Sequence, residues 1–216
     1  MKKIICGFAA AVICISTALG ASAESESAKI KLGVANKIAD NGYEVTYRML
    51  SDTDCAGVQG SLLSFAGDYN ETSLSEAVAA KNNLNDSIKI TSNNFGKSIR
   101  FSLLGDVKSG IKGKLAEFKY TASDVADAST VGLSDFTAVV LNSGKPEKID
   151  EYVTFMYGDP NGDEDIDIRD LVNLKKRIAA NDFTDAADCN ADGTMDSKDL
   201  VPLRQYLIGT VGASLG

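Results

Sequence analysis

Two segments late in the 216-residue chain repeat each other at an offset of 29 residues, and both are dense in aspartate. Between Asp159 and Leu174, eight of the sixteen positions are identical to their counterparts: Asp159/Asp188, Asn161/Asn190, Asp163/Asp192, Asp167/Asp196, Asp170/Asp199, Leu171/Leu200, Val172/Val201 and Leu174/Leu203. An internal repeat this acidic needs a physical reason, and the spacing supplies one. Each copy opens on a twelve-residue loop, DPNGDEDIDIRD from Asp159 to Asp170 and DCNADGTMDSKD from Asp188 to Asp199, with oxygen-bearing side chains at positions 1, 3, 5, 9 and 12. Position 7 offers its backbone carbonyl. An EF-hand-type loop wraps a hard cation in six to eight oxygens with this spacing, and a flexible carboxylate cage suits Ca²⁺ better than Mg²⁺. The candidate ligands are Asp159, Asn161, Asp163, Asp165, Asp167 and Asp170 for one ion. Asp188, Asn190, Asp192, Thr194, Asp196 and Asp199 are the candidates for a second.

The loops differ at position 6, where the sharp turn favours glycine. The second loop has Gly193 there and the first has Glu164, so the first site is expected to bind more weakly or to turn differently, despite its extra Asp165. A helix follows each loop: Leu171, Leu174 and Ile178 form a one-face stripe, and Leu200, Leu203 and Leu207 repeat its spacing. These stripes are expected to pack on each other as a small core. The residues before Asp159, Thr154 to Gly158, are too apolar and too poor in helix formers for an entering helix. The units are loop-helix repeats.

The opening stretch, MKKIICGFAAAVICISTALGASA, has two lysines, an apolar core and the triplet Ala21-Ser22-Ala23, the pattern of a secretory signal peptide over residues 1–23. The remainder is expected to be secreted, with no membrane span in the mature chain. With 30 Asp+Glu against 22 Lys+Arg, the chain cannot neutralise phosphates along a groove, so nucleic acid is not expected as a partner. It has no histidine, which removes His-dependent triads and His-ligated zinc together.

Residues 24–151 read as a mainly β domain. Ile30, Leu32 and Val34 alternate with polar neighbours, as do Tyr43, Val45, Tyr47 and Met49, then Ile99, Phe101 and Leu103, then Ala116, Phe118 and Tyr120. Period two buries one face and solvates the other, as in antiparallel sheets. Asn41-Gly42 and Asn94-Phe95-Gly96 mark turns, and Thr72–Ala80 carries a helical spacing. The expected fold is a jelly-roll-like β-sandwich followed by a small all-α module with two calcium loop-helix repeats, residues 152–216. The boundary is expected within Ile149–Tyr157.

The segments GDPNGDEDIDIRDLVNLKKRIA and ADCNADGTMDSKDLVPLRQYLIG resemble a type I dockerin. The resemblance implies a calcium-dependent module that docks into a cohesin on a scaffold protein of a cellulosome-type assembly. It also implies partner-facing positions: Ile168, Arg169, Lys175 and Lys176 in one half, and Ser197, Lys198 and Arg204 in the other. The halves differ there, which argues against two equivalent binding orientations. The pieces Gly57–Leu62, Lys97–Leu104 and Gly113–Phe118 are similar in order and character to a cohesin, although no hard motif carries that likeness. Three function classes follow. The first is a secreted, non-catalytic adaptor or scaffoldin, its dockerin binding a scaffold cohesin and its cohesin-like domain binding dockerin-bearing proteins. The second is a carbohydrate-binding module attached to the complex through its dockerin and holding a polysaccharide, which the absence of tryptophan disfavours. The third is a small glycoside hydrolase working through two carboxylates.

Overall fold

The computed structural model describes residues 29–64, 89–91, 98–104 and 110–216. The signal-like stretch, the helical spacing at Thr72–Ala80 and the Asn94-Phe95-Gly96 turn lie outside the described residues. Eight strands are described: β1 Ile30–Ala39, β2 Gly42–Ser64, β3 Lys89–Thr91, β4 Ser98–Leu104, β5 Ile111–Ala122, β6 Val131–Asn142, β7 Lys145–Ile149 and β8 Val153–Met156. Two helices follow, α1 Ile168–Ala180 and α2 Leu200–Leu207.

Strand β2 organises the sandwich. Its first half, Gly42–Ser51, lies between β1 and β5, and its second half, from Cys55 onward, lies between β4 and β6. The register shifts between Ser51 and Cys55, so one strand serves both layers. The crossing has a chemical cause: Ser51-Asp52-Thr53-Asp54 interrupts the alternation, and the Ser51 hydroxyl donates to the Thr53 carbonyl at 2.6 Å, bending the backbone. The β1–β2 hairpin closes at Asp40-Asn41, with Gly42 at φ +115°, a conformation that L side chains rarely adopt.

Inward residues of both layers make one core. Ile30, Leu32, Val34, Val45, Tyr47, Met49 and Leu62 are fully buried, and Phe101 of β4 meets Phe118 of β5 with ring centroids 5.4 Å apart. The alternation of Ile30/Leu32/Val34 and Val45/Tyr47/Met49 therefore points inward, as expected. Tyr47 and Tyr120 bring their hydroxyls within 2.6 Å of each other, so two buried polar tips satisfy each other. Asn36 is also fully buried, and it pairs through both ends of its amide with the backbone of Ala126.

Two expectations need correction. The sheet is not wholly antiparallel: β8 runs parallel to β1, matching Lys31–Val34 with Val153–Met156. Nor is the outer face of β1 solvated. Its outward positions include Gly33 and Ala35, small enough for a second layer to approach closely. A Cβ built on Gly33 would sit 2.7 Å from the Phe155 ring and 2.8 Å from the Tyr157 ring. That second layer is the helical segment. Ala35, Tyr157, Leu171, Leu174, Ala187, Cys189, Leu203, Tyr206, Ala213 and Leu215 form a second core, shared between β1 and the helices. The leucine stripes do pack on each other, but the sheet completes their core. A segment of this size buries too small a fraction of its surface to be secure alone, and the shared face supplies the remainder. Among the described residues, no helix is long and apolar enough to cross a membrane.

Candidate calcium centre and partner face

The two acidic loops adopt one backbone plan. In the first, Asp159 accepts from Asp163 N at 3.2 Å through Oδ1 and from Glu164 N at 3.0 Å through Oδ2. In the second, Asp188 accepts from Asp192 N at 3.1 Å and Gly193 N at 2.8 Å through the same two atoms. Asn161 and Asn190 accept from Asp163 N and Asp192 N, at 2.8 and 2.9 Å. Asp163 and Asp192 accept from Asp165 N and Thr194 N. Asp170 and Asp199 reach back to the amides of Asp167 and Asp196, both at 2.8 Å. Five equivalent bonds at the 29-residue offset mean that the sequence repeat is also a geometric repeat.

In the first loop the carboxylates converge. Oxygen atoms of Asp159, Asp163 and Asp170 lie within 4.8 Å of one another. Asp170 and Asp199 are fully buried, and Asp159 and Asp188 are 6% exposed. Burial, and then the charges of Asp159 and Asp163, push the Asp170 carboxyl up to about 6. Burial likewise raises Asp159 and Asp188 above the ordinary carboxylate range. The Oδ1 atom of Asp170 is buried with no hydrogen-bond partner. An unpaired buried carboxylate oxygen is costly, and a cation removes both that cost and the repulsion. This donor set is all oxygen, and it fits a hard cation such as calcium.

Position 6 behaves as the sequence implied, but the comparison between sites changes. Glu164 has φ +68° and Gly193 φ +84°. Position 4 is left-handed as well, and there the first loop has Gly162 at φ +75° while the second has Ala191 at φ +53°. Each loop therefore forces one non-glycine residue into the left-handed region, and the strain argument no longer singles out the first site. Glu164→Gly and Ala191→Gly are each expected to stabilise the calcium-loaded chain by about 1 kcal/mol or less, within a few tenths of each other. Denaturant unfolding in saturating calcium checks this, and a gain confined to Glu164→Gly would contradict it.

The helices leave the loops differently. Asp167 caps α1 and accepts from Arg169 N at 2.7 Å, forming a capping box with Asp170. The equivalent start in the second half would be Ser197, but α2 begins at Leu200. Pro202 explains the delay. A helix starting at Ser197 would place Pro202 past its first turn, where its missing N–H breaks a bond, whereas a start at Leu200 keeps it inside that turn.

All seven partner-facing candidates, Ile168, Arg169, Lys175, Lys176, Ser197, Lys198 and Arg204, are exposed. Arg169 is ion-paired with Asp163 at 2.8 Å and Asp167 at 2.7 Å, and Lys198 with Asp196 at 3.1 Å. Beside them, Val172 of α1 and Val201 of α2 occupy equivalent positions and are 48% and 53% exposed. The repeat comparison noted these valines without assigning them a role. Their signal was identity between halves at a position outside both the ligand set and the leucine stripe. Cys55 and Cys189 are both buried free thiols.

Residues 157–208 match the family model of the dockerin type I domain. No curated protein matches the chain. Among solved structures, the chain is similar to the seventh ScaB type I cohesin from Pseudobacteroides cellulosolvens, at 12% identity over 59% of this chain and 86% of that one, with a TM-score of 0.33. The chain thus carries a dockerin type I domain behind a β-sandwich. Such domains bind calcium and act as non-catalytic protein-interaction modules of extracellular, cellulosome-type assemblies, with cohesin-bearing proteins as partners.

Proposed function

We propose that the chain is a secreted, non-catalytic adaptor in a cellulosome-type assembly. Its dockerin takes two calcium ions and plugs into a scaffold cohesin, while the sandwich receives a dockerin carried by another protein. The observation that carries the first half is the pair of loops with equivalent hydrogen bonds, the first of which gathers the carboxylates of Asp159, Asp163 and Asp170 around the unpartnered Asp170 oxygen. In this reading Asp159, Asn161, Asp163 and Asp170 hold one ion, with the Asp165 carbonyl and an Asp167 oxygen. Asp188, Asn190, Asp192 and Asp199 hold the other, with the Thr194 carbonyl and an Asp196 oxygen. Calcium supplies the positive charge that lets these carboxylates pack under the helices, and its binding is then coupled to folding.

For the second half, support comes from the cohesin-like order of Gly57–Leu62, Lys97–Leu104 and Gly113–Phe118. The carbohydrate-binding alternative gains nothing from the described part of the sandwich: Tyr47, Phe101, Phe118, Tyr120 and Phe136 are buried, and Tyr43, Tyr152 and Phe155 are half-buried. The test offers the full chain, calcium-loaded, to a panel of dockerins and a panel of insoluble polysaccharides. Because β8 and the shared core lie beyond residue 150, a fragment ending there would lose part of its sheet. Affinity for at least one dockerin with no sugar release is the expected result. Polysaccharide retention without dockerin binding would move the assignment to a carbohydrate-binding module, and sugar release that tracks a single carboxylate would make it a hydrolase.

The dockerin is expected to engage its cohesin through one dominant face. Ile168 in one half stands where Ser197 stands in the other, and Pro202 shortens the second helix. A partner reading both orientations equally would need similar surfaces. Replacing Arg169, Lys175 and Lys176 together by alanine should therefore weaken cohesin binding by on the order of tenfold more, or less, than replacing Lys198 and Arg204. Equal effects in isothermal titration would mean two equivalent modes.

A further inference from the structure

Residues 210–216 leave α2 and return to the sheet. Strand β1 is covered on one side by β2, and on the other by β8 only as far as Val34. Beyond that point its edge is taken by the returning segment. Ile38 N donates to the Ala213 carbonyl at 2.9 Å, Gly212 N to the Ile38 carbonyl at 2.8 Å, and Leu215 N to the Asn36 carbonyl at 2.9 Å. An isolated antiparallel bridge joins Lys37 and Ser214. These bonds satisfy an edge that would otherwise present unpaired backbone groups.

The same segment is fastened to the calcium loops. Gly216 N donates to the carbonyl of Cys189, the second residue of the second loop, at 2.8 Å. Leu215 is fully buried and fills the space beside Gly158, immediately before the first loop, where a Cβ built on that glycine would lie 2.7 Å from a Leu215 methyl carbon. Gly158 N in turn donates to the Ala186 carbonyl at 2.8 Å, tying the roots of the two loops together. Lys31 of β1 pairs with Asp185 at 2.7 Å, in the 3₁₀ turn that leads into the second loop. Tyr157 lies under the Arg48 guanidinium, 5.4 Å from its carbon to the ring centroid, and gives its amide to the Val34 carbonyl.

We propose that residues 210–216 act as a calcium-dependent clasp, which locks the dockerin onto the outer edge of β1 and lets go when the loops lose their ions. The inference rests on the calcium assignment above and extends it to the sandwich. The reason is geometric: the clasp has two attachment points, one on β1 and one on the second loop, with a single buried leucine between them. Without calcium the crowded carboxylates drive the loops apart, the Cys189 and Gly158 anchors move, and Leu215 loses the pocket that holds it. With calcium, the dockerin helices stand at a fixed angle to the sandwich, so a cohesin on one module and a partner on the other are held in defined geometry. No flexible linker intervenes.

Hydrogen exchange on the full chain, followed by residue, tests this with calcium and with a chelator, taking the amides of β5 as the internal reference. The loop amides of Asp192 and Gly193 should lose protection on chelation. The clasp amides of Ile38, Gly212 and Leu215 should lose at least a hundredfold with them, while β5 stays protected. Loss in the loops with unchanged clasp amides overturns the clasp and leaves the calcium assignment standing. Unchanged loop amides overturn the calcium assignment itself, and the clasp with it. A Leu215→Ala chain gives the reciprocal reading, because linkage works in both directions. Its calcium affinity should fall at least tenfold, and an affinity equal to that of the unmodified chain overturns the coupling.

Discussion

Replacing Asp170 and Asp199 by asparagine should severely weaken both calcium sites and, with them, the helices that depend on bound calcium. Each carboxylate closes a loop, is fully buried, and accepts from the amide that precedes its helix, Asp167 N or Asp196 N. Asparagine keeps the size and one acceptor oxygen, so the loop-closing bond can survive and the lost charge is what the experiment reads. A cation bound to a buried carboxylate depends on that charge far more than on the hydrogen bond. Affinity should drop by about a hundredfold at each altered site, roughly 3 kcal/mol. Single variants should retain one ion and partial helix, and the double variant should retain neither at a calcium concentration that just saturates the unmodified chain. Calorimetric titration with circular dichroism at 222 nm measures both quantities. Full helical signal in the double variant would show that the leucine core folds the module without metal.

The second large effect concerns that core. Leu174 and Leu203 are fully buried at equivalent positions of α1 and α2, in one core with Ala35 and Tyr157 of the sheet side. Truncating either to alanine should cost about 3 kcal/mol, the usual range for leucine in a packed core. Ile208, 79% exposed, should cost no more than about 0.5 kcal/mol and serves as the control. Because β1 contributes to the same core, the loss should also lower the unfolding midpoint of the sandwich signal. Residue-resolved hydrogen exchange of the β5 amides follows that transition independently of the helices. A sandwich transition unmoved by Leu203→Ala would mean that the modules unfold separately.

Much of this was legible in the sequence, because its signals are local and periodic. The inward sides of β1 and β2 follow from alternation, and the loops and leucine stripes follow from the 29-residue repeat. What escaped depends on contacts across long stretches of chain. Gly33 and Ala35 read as weak strand residues until Tyr157 and the helices fill the space above them. The parallel pairing of β8 leaves no mark in four residues, and the return of Ala213–Leu215 to β1 has no period at all. Ala191 was missed for a different reason: its left-handed backbone is set by the turn around the ion site, and alanine carries no signal for it. Pro202 was visible as a residue, but its effect on the start of α2 appears only when the two halves are laid over each other.

The dockerin segment should bind a cohesin only when its loops hold calcium. Titration of the full chain into an isolated type I cohesin, in calcium and again with excess chelator, tests it most directly. Saturable one-to-one binding in calcium is expected, with a loss of at least a hundredfold in chelator that is restored when calcium is added back. Equal affinity in both conditions would contradict it.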